Sequence, residues 1–156
     1  MINNKTTIRL IGFFILFSSC QPKFDIEFSK DFTIYIRSLN DTVINKGIYI
    51  LLPVFSCSSC QEEITNYLEN NDCSDVVVIC IADTYKEFYN VKKRLKKYKL
   101  LYDIAGNYSK ILNIEGNYPY FVEVEHKKVI EHYYAKAGNN MKKALEKLNH
   151  NNFSKD

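Results

Sequence analysis

Residues 47–60 read GIYILLPVFSCSSC. The apolar run Gly47–Phe55 stops at Ser56 and opens onto two cysteines three positions apart. A continuous apolar run of this length, bounded by polar residues, is the pattern of a strand buried on both faces. Beyond it, Cys60, Ile64, Tyr67 and Leu68 fall at i, i+4, i+7 and i+8, one apolar stripe of a helix, while Glu62, Glu63, Asn66 and Glu69 take the other side. Asn70-Asn71-Asp72 ends that helix. Cys57 and Cys60 therefore stand at a strand-to-helix junction. A helix N-terminus offers unpaired backbone N–H groups and a partial positive charge, both of which favour a thiolate at Cys57. Such sites bring a cysteine from about 8.5 into a range of roughly 3.5–7.5. Cys60, one turn further in and on the buried stripe, is shielded and placed to attack a mixed disulfide held on Cys57. The spacing also meets the close approach that a disulfide bond needs.

The same reading extends outward. Phe32–Arg37 (FTIYIR) alternates and is β-branched and aromatic, which predicts a first strand before the turn Asn40-Asp41, with residues 20–30 as a tether. Asp75–Ala82 (DVVVICIA) predicts a second fully buried strand. Phe88, Val91, Leu95 and Tyr98 predict a second helix, Leu100–Tyr102 a short strand ending at Asp103, and Tyr108–Leu112 a short helix after the turn at Gly106-Asn107. Pro119–Glu125 and Lys128–Tyr134 read as a hairpin around His126-Lys127, and Met141, Ala144, Leu145 and Leu148 as the inner stripe of a last helix. Buried strands alternating with helices imply an α/β fold, and the hairpin makes its central sheet mixed, with helices on both faces. The expected organisation is a leader over 1–19, the tether over 20–30, one domain over 31–150 and a tail over 151–156.

The chain has 156 residues, 46% hydrophobic and 25% charged, room for one core rather than two. A net charge of +3 gives no footprint for nucleic acid. At the N-terminus Lys5 and Arg9 precede the apolar run Leu10–Phe17, eight residues long. A membrane-crossing helix needs about 20, so this length fits the core of a signal peptide. Ser18-Ser19-Cys20 follows it and resembles a bacterial lipobox, which implies lipidation at Cys20. Plain secretion and an uncleaved anchor are the alternatives, and all three put the domain outside the cytoplasm, where disulfides persist.

The C-x-x-C after a buried strand, the order of strands and helices, and Tyr118-Pro119 opening Tyr120–Glu125 resemble the thioredoxin superfamily over residues 43–149. Within it the chain is similar to the TlpA-like, peroxiredoxin-related envelope proteins, whose extra strand–helix unit matches Leu101-Tyr102-Asp103 with Gly106, Ile111 and Ile114. The resemblance implies a cis Pro119 beside the cysteines, with Tyr118 and Pro119 holding substrate backbone. It also implies thiol–disulfide exchange without a cofactor, an envelope electron donor, protein or small-molecule disulfide and thiol substrates, and a lipid-anchored monomer. The chain departs from the family at Ser56, often Trp, and at Leu51, where ordinary thioredoxins carry a buried Asp.

Other chemistries of the cysteines find less support in the sequence. Zinc would need four converging thiolates, whereas Cys80 sits inside an apolar strand and reads as a small hydrophobe, and Cys73 stands at that strand's edge. A peroxidase motif counted back from Cys60 fits at Pro53 but finds Cys57 where Thr belongs. A copper site would need a nearby His, and His126, His132 and His150 all come late. No metal site is expected. The basic run Lys92, Lys93, Arg94, Lys96, Lys97 and Lys99 reads as a solvated helix face, with docking to an anionic surface as the rival. The functional expectation is a thiol–disulfide oxidoreductase. Its alternative is a non-catalytic binding module with a structural Cys57–Cys60 disulfide.

Overall fold

The computed structural model describes residues 25–55 and 58–150, apart from the side chain of residue 150. Ser56, Cys57 and Cys20 lie outside the described residues, as do the leader and the tail. Among the described residues ten elements follow one another: α1 (Ile26–Ser38), β1 (Lys46–Pro53), α2 (Ser58–Asn70), β2 (Val76–Ile81), α3 (Tyr85–Arg94), β3 (Lys99–Asp103), α4 (Asn107–Leu112), β4 (Tyr120–Glu125), β5 (Lys128–Tyr134) and α5 (Asn139–His150).

The strands form one sheet in the order β3-β2-β1-β4-β5. β1, β2 and β3 are parallel, and β4 runs antiparallel to both β1 and β5. The mixed α/β sheet expected from the sequence is thus present. The hairpin turn at His126 and Lys127 has φ 50° and 61°. That left-handed pair matches the twist of the flanking strands.

From β1 to β2 to β3 the chain steps across the sheet in one direction, so right-handed crossovers put α2 and α3 on the same face. On that face Ile48, Ile50 and Leu52 of β1 pack with Cys60, Ile64 and Leu68 of α2, Phe88 and Val91 of α3, and Met141, Ala144 and Leu148 of α5. The connection after β3 must return over the sheet to reach β4, and it does so on the other side. There Tyr49 and Leu51 pack with Phe32, Tyr35 and Ile36 of α1 and Leu112 of α4. The alternation of β1 between the two cores follows from the period of two in a strand.

Residues 32–37 are helical, not a strand, and α1 starts within the stretch read as tether. Phe28, Phe32, Tyr35 and Ile36 form an inner stripe at helical spacing, and the Asp25 carboxylate caps the first turn by accepting from the Phe28 N–H at 3.0 Å. Ile34, which a strand would align with Phe32 and Ile36, is 46% exposed while both of those are fully buried. The sheet accordingly begins with β1 in chain order, and β3, expected as a short strand, forms its edge beside β2. α3 is closed by a capping box in which Thr84 and Glu87 exchange side-chain and backbone bonds. At Gly47, φ is +144°, and a Cβ there would lie 2.1 Å from the Asp75 carbonyl oxygen, so only glycine lets β1 start this close to β2.

Candidate functional site

The C-terminal ends of β1, β2, β3 and β5 and the N-terminal end of β4 share one edge of the sheet. The segment carrying the cysteine pair leaves β1 there. Cys60 is the third residue of α2, is 2% exposed, and packs in the core of the α2 face. The first turn of α2 carries no acidic residue, so nothing on the helix itself offsets the positive end of its dipole.

Tyr118 and Pro119 arrive at the same edge. Leu51 pairs with Tyr120 across β1 and β4, and one further step of that register sets Pro119 opposite Leu52. Pro119 is buried, and its carbonyl accepts from the Ala135 N–H at 2.8 Å. Tyr118 is half-buried against the core that contains Cys60. The peptide bond between them is trans, since there is no cis bond among the described residues. The expectation of a cis Pro119 is corrected on this point. Trans is the ground state of X–Pro by about 0.5–1 kcal/mol, and the Ala135–Pro119 bond is made in that form.

Leu51 is fully buried on the α1 face, whereas Cys60 lies on the α2 face. The sheet itself separates the residue at the usual acid position from the inner cysteine. Glu62 and Glu63 are exposed, and Glu62 bonds to Arg94 at 2.9 Å, a hydrogen bond that holds its carboxyl below the usual range. The buried acid of this sheet edge is Asp103, 2% exposed at the end of β3. It accepts from the Tyr35 hydroxyl at 3.1 Å and from the N–H groups of Asn107 and Tyr108 at 3.0 and 2.9 Å. Burial beside this carboxylate pushes the Tyr35 hydroxyl well above its ordinary pKa. Asp103 thereby fixes the start of α4 and ties α1 to the sheet. A lone acid closing a strand just before a Gly-Asn turn was its signal in the sequence.

Other sequence candidates find structural roles. Cys80 is fully buried, and burial pushes its thiol up to about 12, so it is an inert core group. Cys73 is 8% exposed, and its N–H donates to the Tyr98 hydroxyl at 3.2 Å. Arg94, read as part of a solvated basic face, instead ties α3 to α2 through Glu62, Glu69 and Asn66. Lys97 pairs with Asp72 and Lys99 with Asp41. A contact chain not foreseen joins Tyr120, His132 and Asp25: the Tyr120 hydroxyl and His132 Nδ1 are 2.5 Å apart, and His132 Nε2 lies 3.7 Å from the Asp25 carboxylate. Among the described residues no group of three or more His, Cys, Asp or Glu side chains could hold a metal ion, and no helix is long and apolar enough to cross a membrane.

No protein-family model matches the chain, and no curated protein matches it by sequence. Among solved structures it is similar to MTB DsbF in its mixed oxidized and reduced forms, with a TM-score of 0.50 and 13% identity over 69% of this chain and 81% of that one. It is also similar to a protein assigned as thiol:disulfide interchange protein DsbE from Chlorobium tepidum, with a TM-score of 0.47 and 12% identity over 69% and 79% of the two chains. The strand order and the likeness to DsbF together show that the chain has a thioredoxin-like fold.

Proposed function

We propose that the chain is a thiol–disulfide oxidoreductase of the bacterial cell envelope, tethered to a membrane through lipid on Cys20 and working through Cys57 and Cys60. The observation that carries this reading is the position of Cys60: buried, 2% exposed, in the first turn of the helix that follows β1, whose C-terminal end pairs with the start of β4 just after Tyr118-Pro119. The DsbF fold, captured in oxidized and reduced forms, supports it at the level of architecture.

In the proposed reaction the Cys57 thiolate attacks a substrate disulfide. The substrate S–S bond breaks, one substrate sulfur leaves as thiolate, and a Cys57–substrate disulfide forms. Cys60 loses its proton to solvent and attacks the Cys57 sulfur, releasing the second substrate thiolate. Two electrons pass to the substrate and the Cys57–Cys60 disulfide is left, to be reduced by an envelope thiol donor. Tyr118 and Pro119 border the bound substrate backbone. Proline lacks the N–H that would compete for substrate carbonyls.

A second reading, a binding module with a structural Cys57–Cys60 bond, draws on one observation: apolar Leu51, fully buried, stands where a proton-accepting acid is usual. The two readings part in a trapping experiment in cells. A Cys60→Ser chain should accumulate mixed disulfides on Cys57 that sediment with membranes and disappear on reduction. Adding Cys20→Ala should move them out of the membrane fraction. Absence of any trapped species favours the binding module, and membrane retention without Cys20 removes the lipid anchor.

A further inference from the structure

α1 turns Phe28, Phe32, Tyr35 and Ile36 inward, and the strip opposite them is not simply polar. Ile26, Lys30, Ile34 and Arg37 recur along it at i, i+4, i+8 and i+11, and all four are exposed. Ile26 is 78% exposed and Ile34 46%. Neither Lys30 nor Arg37 has a carboxylate at ion-pair distance among the described residues. The acids Glu27 and Asp31 fall to one flank of the strip. Beside the first turn, Ile26 and Ser29 share with Lys128 and Val129 the wall of a cavity of about 300 Å³. Exposed isoleucines set between long cationic side chains suit a bilayer interface. There the stems of Lys and Arg run along the apolar layer while their charges reach the headgroups.

The point at which the chain is held selects this occupant. Five residues lead from Cys20 to Asp25, a span of at most about 18 Å, and Ile26 follows at once. The competing face is α3, where Lys86, Lys92 and Lys93 are exposed. α3 packs on the opposite side of the sheet from α1. Two packed layers of about 10 Å each and the outer half of the helix put its outer side roughly 25 Å from α1. A chain tethered at Cys20 therefore reaches its own membrane with α1 and not with α3.

We propose that the outward strip of α1, led by Ile26 and Ile34, lies in the interface of the membrane that holds the chain. This rests on the membrane attachment proposed above and adds the face of the domain that meets the lipid. The opposite side, with α2 and α3, is thereby turned away from that membrane.

The chain contains no Trp, so a single introduced indole reports its own surroundings. Ile34→Trp and Tyr89→Trp are both substitutions at exposed helix positions, on α1 and α3 respectively. Each full chain, purified from membranes, is reconstituted in vesicles of phosphatidylcholine and phosphatidylglycerol in equal parts. The lipids carry bromine near the carbonyl end of their acyl chains, which quenches indole fluorescence on contact. Ile34→Trp should be quenched roughly twofold or more, and Tyr89→Trp hardly at all. Adding Ile26→Ser and Lys30→Glu to Ile34→Trp should lower that quenching while the chain still sediments with the vesicles. Equal quenching at the two positions, or stronger quenching at Tyr89→Trp, overturns the inference and leaves the attachment standing. Cys20→Ala separates the lipid from the face: a variant that still sediments and is still quenched at Ile34→Trp removes the lipid on Cys20 and supports the α1 contact. A wild-type chain that does not sediment with vesicles overturns the attachment, and the inference with it.

Discussion

His132 shows how much a single side chain can hold together. Its ring stacks on Phe28 at 3.8 Å with a 4° tilt, touches the Tyr120 hydroxyl, and points its other nitrogen at Asp25. It thus joins α1 to β4 and β5. Burial holds its pKa below the ordinary value, and the nearby Asp25 carboxylate only partly opposes this. The sign follows directly. The unfolded chain takes up this proton near pH 6.5, while the folded chain does so only at lower pH. The stability carried by neutral His132 is complete above about pH 6.5 and is lost as the pH falls toward the depressed value. Urea unfolding at pH 7.5 and 5.5 should show a loss of up to about 1 kcal/mol that is smaller in His132→Gln. An identical loss in both proteins would mean that other groups carry it. This chain of contacts was not legible in the sequence. It joins residues from different elements, and only the assembled sheet makes them neighbours.

At the scale of the element, α1 is where local and longer patterns conflict. Phe32, Ile34 and Ile36 alternate as in a strand over six residues, but over thirteen residues the apolar positions recur at helical spacing from Phe28 onward. The longer period wins because it buries Phe28, Phe32, Tyr35 and Ile36 together against β1 and β4. A strand would put Ile34 and Ile36 on one face, whereas the helix separates them, leaving Ile34 46% exposed and Ile36 fully buried. Ile34→Asp should cost under about 1 kcal/mol, since it changes an outward helix position. Ile36→Asp should cost more than about 3 kcal/mol, because it buries an unpaired charge. Equal costs in urea unfolding would count against the helix. The buried runs of β1 and β2 and the stripes of α2 and α5 were legible because burial on both faces, or a stripe of helical period, leaves one solution for each. The Tyr118–Pro119 isomer was not, because the dipeptide permits both forms and the surrounding strands select one.

At the scale of the molecule, one direction of travel across the sheet followed by one reversal accounts for the layout. Two crossovers put α2 and α3 on one face, the reversal puts α4 on the other, and α1 fills the space beside it. The same reversal gathers the C-terminal ends of β1 and β5 and the N-terminal end of β4 at one edge, where the Ala135 N–H donates to the Pro119 carbonyl. The α/β class and the place of Cys60 in the first turn of α2 could be read from the order of buried runs, because crossover handedness leaves few alternatives. The contribution of β3 to the edge was legible as an extra strand, and its place beside β2 completes the sheet that α1 does not enter. What this frame is proposed to do turns on the thermodynamics of one bond. The most direct measurement is the reduction potential of the Cys57–Cys60 pair in the full chain, equilibrated against a dithiol buffer. An exchange-active pair should fall between about −270 and −120 mV, whereas a value below about −300 mV would mark a structural disulfide and contradict the oxidoreductase.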